Sequence, residues 1–122
     1  MNQANAARKL PGASDVIVAF GEWPSFHDAE ILRVVINRRG QSSVTIRLMI
    51  PAYQQKSVTF TFEKIADMRL EGEDADSQNV IGALTIDTDD QFTTVHFSPC
   101  YGLAGYIKAE AVSVSVDSPP IP

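Results

Sequence analysis

The sequence predicts a mainly β (α+β) fold: an antiparallel meander forming a sandwich or partial barrel, with one short N-terminal helix. Three observations predict it. Apolar and polar residues alternate with period two in several runs, most clearly Val44-Thr45-Ile46-Arg47-Leu48 and Val58-Thr59-Phe60-Thr61-Phe62, the signature of half-buried strands. Tight polar turns separate these runs, as at Arg38-Arg39-Gly40-Gln41 and Asp87-Thr88-Asp89-Asp90. No helical stretch alternates with the strands, so a βαβ parallel sheet is excluded.

In chain order, the small and polar residues 1–12 end in Pro11-Gly12 and read as a flexible tail. Ser14 or Asp15 then offers an N-cap to a helix from Asp15 to Phe20, stopped by Gly21. Val16, Ile17 and Phe20 give it one apolar face. Gly21 to Glu30 is a corner holding the single tryptophan. Ala29 to Asn37 follows as a strand. The next strand carries Val44, Ile46, Leu48 and Ile50 and is closed by Pro51, and another carries Val58, Phe60 and Phe62. Residues 65–70 fit neither period, because Ile65, Met68 and Leu70 are unevenly spaced. After a polar loop, Val80 to Ile86 and Phe92 to Ser98 are strands. In the last strand the apolar residues change parity, from Ile107, Ala109 and Ala111 to Val112, Val114 and Val116. That demands a bulge or bend near Ala111. The domain organisation is therefore one β-rich unit over 13–117 with a Pro-rich tail over 118–122.

Composition narrows the function. A length of 122 residues supports one core. A net charge of -5, with Arg38-Arg39 as the only adjacent basic pair of arginines, argues against nucleic acid as a partner. No run approaches the roughly 18 apolar residues of a membrane span, and the first residues lack a signal-peptide core. The single cysteine, Cys100, excludes an intramolecular disulfide. The expected location is cytoplasmic, with no cofactor.

Two groups of residues could carry function. His27, Asp28 and Glu30, joined by His96, could form an acid–base or metal site. Neighbours in a strand face opposite ways, however, and no ligand spacing supports a metal. The expectation is no metal and no catalytic residue, with His27 or Asp28 hydrogen-bonding backbone to fix the corner. Cys100 lies in the turn-like Ser98-Pro99-Cys100-Tyr101-Gly102, and reads as a small buried or incidental thiol. The second group is acidic: Glu71, Glu73, Asp74 and Asp76 in one loop, Asp87, Asp89 and Asp90 in another. If both loops share one end of the sheet, they form a negative rim for a basic protein. Solvated turn residues are the plainer reading of either loop alone.

The stretch Gly21-x-Trp23-Pro24-Ser25-Phe26-His27-Asp28-Ala29-Glu30-Ile31 resembles the bacterial immunity protein 50 family, small proteins encoded beside polymorphic toxins. Weaker similarity runs through Val58–Phe62, Asn79–Ile81 and Phe97–Gly102. The resemblance implies a non-enzymatic protein that binds and neutralises a cognate toxin. Trp23, Pro24, Phe26, His27, Asp28 and Glu30 would then specify the structural corner, and the acidic loops would hold partner specificity. Two other classes stand beside it: a small metal-dependent or acid–base enzyme using His27, Asp28, Glu30 and His96, and a homo-oligomeric structural protein.

Overall fold

The computed structural model describes residues 3–37, 39–48, 56–72 and 79–117. Six antiparallel strands close into a barrel in the order β1-β2-β3-β6-β5-β4. They are β1 (Glu30–Val35), β2 (Ser42–Arg47), β3 (Ser57–Glu71), β4 (Val80–Thr88), β5 (Thr93–Tyr101) and β6 (Ala104–Asp117). Two helices, α1 (Gln3–Arg8) and α2 (Ala13–Phe20), precede them. β1-β2-β3 and β4-β5-β6 are each hairpin-connected. The chain crosses between them so that β4 lies beside β1, a Greek-key order of four strands. The fold is mainly β and antiparallel, as the period-two runs predict. Among the described residues no helix is long and apolar enough to cross a membrane.

The barrel interior is packed with the inward members of the alternating runs. Val44, Ile46, Val58, Phe60, Phe62, Val95 and Ile107 have no exposed surface. The buried polar side chain Ser42 is satisfied, since its hydroxyl accepts from the Asn37 amide and donates to the Asn37 carbonyl. β3 and β6 form the longest ladder and change face together. Glu63, Lys64, Glu110 and Ala111 are all exposed, Glu63 pairs with Ala111, and Lys64 adopts φ 56°. This is the parity change expected near Ala111. The bulge itself falls on the partner strand, where Ala66 is the extra residue between Ile65 and Asp67. That pair of irregularities explains why residues 65–70, which are strand, show no clean period.

The N-terminal expectation is corrected. Residues expected to be a loose tail include α1, and Ala6, Ala7 and Leu10 are buried in the core. The cap also differs: α2 starts at Ala13 with Gly12 at the N-cap and no side-chain cap, rather than at Ser14 or Asp15. The cause is close docking on β6. Gly12 has φ 89°, and a Cβ there would lie 1.7 Å from the Val114 carbonyl oxygen. Val114 in turn donates its amide to the Pro11 carbonyl at 2.9 Å, at a level where β5 no longer pairs with β6. Gly21 ends α2 in the left-handed conformation, and Lys56 Nζ donates to the Ala19 carbonyl of the last turn at 3.3 Å. Ile50, Pro51 and the tail 118–122 lie outside the described residues.

Candidate functional site

The corner joins α2 to β1 and divides into an apolar and a polar half. Pro24 and Phe26 are buried and Trp23 is half-buried. Trp23 meets Phe26 edge-on with ring centroids 5.6 Å apart, and both rings contact Phe60 of β3, at 6.3 and 5.8 Å. The rings thus tie the corner to the barrel core. On the polar side, the Asp28 amide donates to the Ile81 carbonyl and the Ile81 amide to the Ala29 carbonyl, each at 2.8 Å. These bonds extend the seam between β1 and β4, which share the single paired position Glu30–Val80.

His27 is exposed and its Nδ1 lies 2.9 Å from the Gly82 carbonyl. Asp28 has φ 66°. This left-handed turn replaces the extended geometry expected from sequence and lets neighbouring side chains meet: His27 Nε2 lies 3.6 Å from Asp28 Oδ2. The expectation that these two residues face apart is therefore corrected. Of the two Cys100 readings, the buried one is corrected, because the thiol is exposed at the end of β5. Ligand-type atoms of His27, Asp28 and Cys100 all lie within 4.8 Å of one another. No spacing in the sequence signals this group. It exists because the β4–β5 register shifts on both sides of Ile81, beside Pro99, which cannot donate to a ladder.

The other members of the expected acid–base set are held elsewhere. Glu30 is paired with Arg47, directly opposite on β2, with Nη2 2.5 Å from Oε1. His96 lies opposite Thr85 on the outer face, with Asp87 Oδ2 3.2 Å from its Nε2 and the Tyr106 ring beside it. From Gly82 to Thr85 is about 10 Å of strand, so each histidine keeps its own carboxylate and the four residues do not form one site.

The expected acidic rim falls partly outside the described residues. Glu71 ends β3, and Glu73, Asp74 and Asp76 lie outside the described residues, in the connection that enters β4 at Val80. Asp89 and Asp90 lie at the opposite end of β4, while Asp87, expected in the turn, belongs to the strand. β4 spans nine residues, or ~30 Å, and this length separates its start at Val80 from Asp89 and Asp90. Asp89 instead shapes the β4–β5 turn, where its Oδ1 accepts from the Gln91 and Phe92 amides at 2.8 and 2.7 Å. These two bonds hold its carboxyl below the usual carboxylate range.

Sequence reasoning also missed a surface feature. Among the described residues, β2 pairs with β3 no further than Phe62, whereas β3 runs on to Glu71 with pairing to β6 alone. A groove of about 420 Å³ borders this free edge, lined by Ile36, Asn37, Gly40 and residues 64–68. The Met68 amide donates to the Asp67 side chain at 2.9 Å. The signal for this edge was the length of β3 relative to β2, which the irregular spacing at 65–70 concealed. Comparison with protein-family models, with curated proteins and with solved structures finds no match to the chain.

Proposed function

We propose that the chain is a non-enzymatic cytoplasmic inhibitor of the immunity type, which binds a cognate bacterial toxin and holds it inactive. The observation that carries this reading is the free edge of β3 from Lys64 to Glu71 beside the groove. An unpaired edge is a template on which an extended segment of a partner adds a strand, with pockets alongside to read its side chains. Half-buried Ile65 and Met68 supply the apolar part of that surface. The net charge of -5, with Glu71 at the end of the edge and Glu73, Asp74 and Asp76 following it in sequence, favours a basic partner. A filled barrel interior leaves recognition to the outer surface.

The test is co-expression with the toxin encoded by the neighbouring gene. The chain is expected to restore growth and to bind the toxin one to one, with affinity falling as salt rises. Met68→Lys should abolish rescue, whereas Glu110→Lys, on β6, should retain it. A neighbouring product that is harmless, or a chain that pairs through this edge with a second copy of itself and ignores the toxin, would overturn the reading.

A further inference from the structure

The barrel is least closed between β1 and β4, and three chemically capable side chains gather there. We propose that His27, Asp28 and Cys100 form a divalent-cation site, suited to zinc, that staples the corner to the β4–β5 hairpin. The Gly82 carbonyl can only accept, so His27 Nδ1 carries the ring hydrogen in their 2.9 Å contact. Nε2 is then directed toward a carboxylate oxygen 3.6 Å away. In the neutral ring that nitrogen offers a lone pair, and a cation between it and the carboxylate would be held by both. A metal-bound histidine that donates its other ring N–H to a backbone carbonyl is the usual supporting arrangement.

Geometry and charge agree with zinc. Bonds of about 2.0–2.3 Å in a tetrahedron place neighbouring donors roughly 3.3–3.7 Å apart, which the histidine–aspartate distance already meets. All three donors lie within 4.8 Å of one another, and they are exposed, so small rotations bring the thiolate in. One thiolate and one carboxylate neutralise a dication. The sulfur donor with imidazole favours zinc over calcium or magnesium. Water would fill the fourth position. The left-handed backbone of Asp28 is the local distortion that makes the site, since an extended corner would point His27 and Asp28 apart. The staple falls on the seam that has one paired position.

The experiment titrates the full chain, kept reduced, first with Co²⁺ alone and then with Zn²⁺. Expected are one Co²⁺ per chain with thiolate-to-metal charge-transfer absorption, displacement by Zn²⁺, and a higher melting temperature with Zn²⁺. Cys100→Ser, an exposed change that leaves the fold intact by circular dichroism, should abolish the charge-transfer band and the melting shift. Asp28→Asn should weaken Zn²⁺ binding at least ~10-fold, and His96→Gln should leave it unchanged. Absence of the band in the wild-type chain, equal Zn²⁺ binding by Cys100→Ser, or loss of binding with His96→Gln would each overturn the proposal.

Discussion

Replacing Phe26 by alanine should be among the most damaging single changes in this protein, and replacing its neighbour His27 should barely register. Phe26 is 2% exposed and packs between Trp23 and Phe60. Removing the ring forfeits the transfer energy of a fully buried aromatic, about 1.5–3 kcal/mol. The remaining walls belong to a closed barrel and cannot collapse, so the cavity raises the loss to about 4 kcal/mol. A domain of this size has ~6–12 kcal/mol in total, so a third or more of its stability is lost. At ~3–5 °C per kcal/mol the melting temperature should fall by about 12–20 °C. His27→Ala removes one exposed hydrogen bond to Gly82, worth about 0.5–1.5 kcal/mol. Urea denaturation followed by circular dichroism measures both changes. The sole tryptophan reports locally, because its emission should shift to the red when the Phe26 ring is gone. A Phe26→Ala loss under ~1 kcal/mol, or one no larger than that of His27→Ala, would refute the division of the corner into a strongly stabilising apolar half and a weakly stabilising polar half.

Two further outcomes are expected. Gly12→Ala combines a left-handed backbone with a Cβ placed 1.7 Å from the Val114 carbonyl oxygen; it should cost about 3 kcal/mol through strain and the broken Pro11–Val114 bond. Gly40→Ala, where the nearest atom is the flexible Asn37 amide, is the control and should melt near the wild-type temperature. The second outcome concerns pH. The Asp89 carboxyl is held below its ordinary value by the Gln91 and Phe92 amides, so the ionised form is the one favoured by folding. Its contribution is present above the unfolded-state pKa of about 3.9 and is lost as pH falls through the lower folded value. Asp89→Asn should therefore flatten the acid limb of a stability–pH curve, and a limb as steep as that of the wild type would count against this assignment.

How much of this was legible follows from which contacts are local. Alternation at Val44–Leu48 and Val58–Phe62 marks a strand whatever its neighbours, and Gly21 ends a helix through its own backbone freedom. Strand order is different: nothing in the sequence places β6 beside β3, and only that ladder explains the shared exposure of Glu63, Lys64, Glu110 and Ala111. Gln3–Arg8 reads as a tail because its residues are small and polar. Its burial of Ala6 and Ala7 depends on a docking surface contributed by later strands. Of the expected acidic turn, Asp87 falls in strand β4 instead, because the β4–β5 pairing continues to Thr88 and Thr93. Cys100 has His96 as its nearest histidine in sequence, four positions away along its own strand. Its actual neighbours, His27 and Asp28, arrive through a register shift across β4 and β5.

The concentration of unusual residues between Gly21 and Ile31 has a cause in the topology. A Greek-key barrel must close between strands that are distant in sequence, here β1 and β4, and β1 serves this seam poorly. It shares one paired position with β4, and it is bulged at Leu32, which turns outward. The segment before the strand therefore supplies the missing closure. Asp28 and Ala29 make backbone bonds to Ile81, His27 reaches Gly82, and Trp23 and Phe26 anchor the turn on Phe60. Closure at one side and the free edge of β3 are thus separate parts of the molecule. On the proposed reading, changes at the exposed positions Lys64 and Ala66 should alter partner binding with little effect on stability, and changes at Phe26 should do the reverse. Denaturation and toxin-binding measurements on the same set of variants would reveal that separation, and a strong correlation between the two losses would show that the edge and the corner act as one unit.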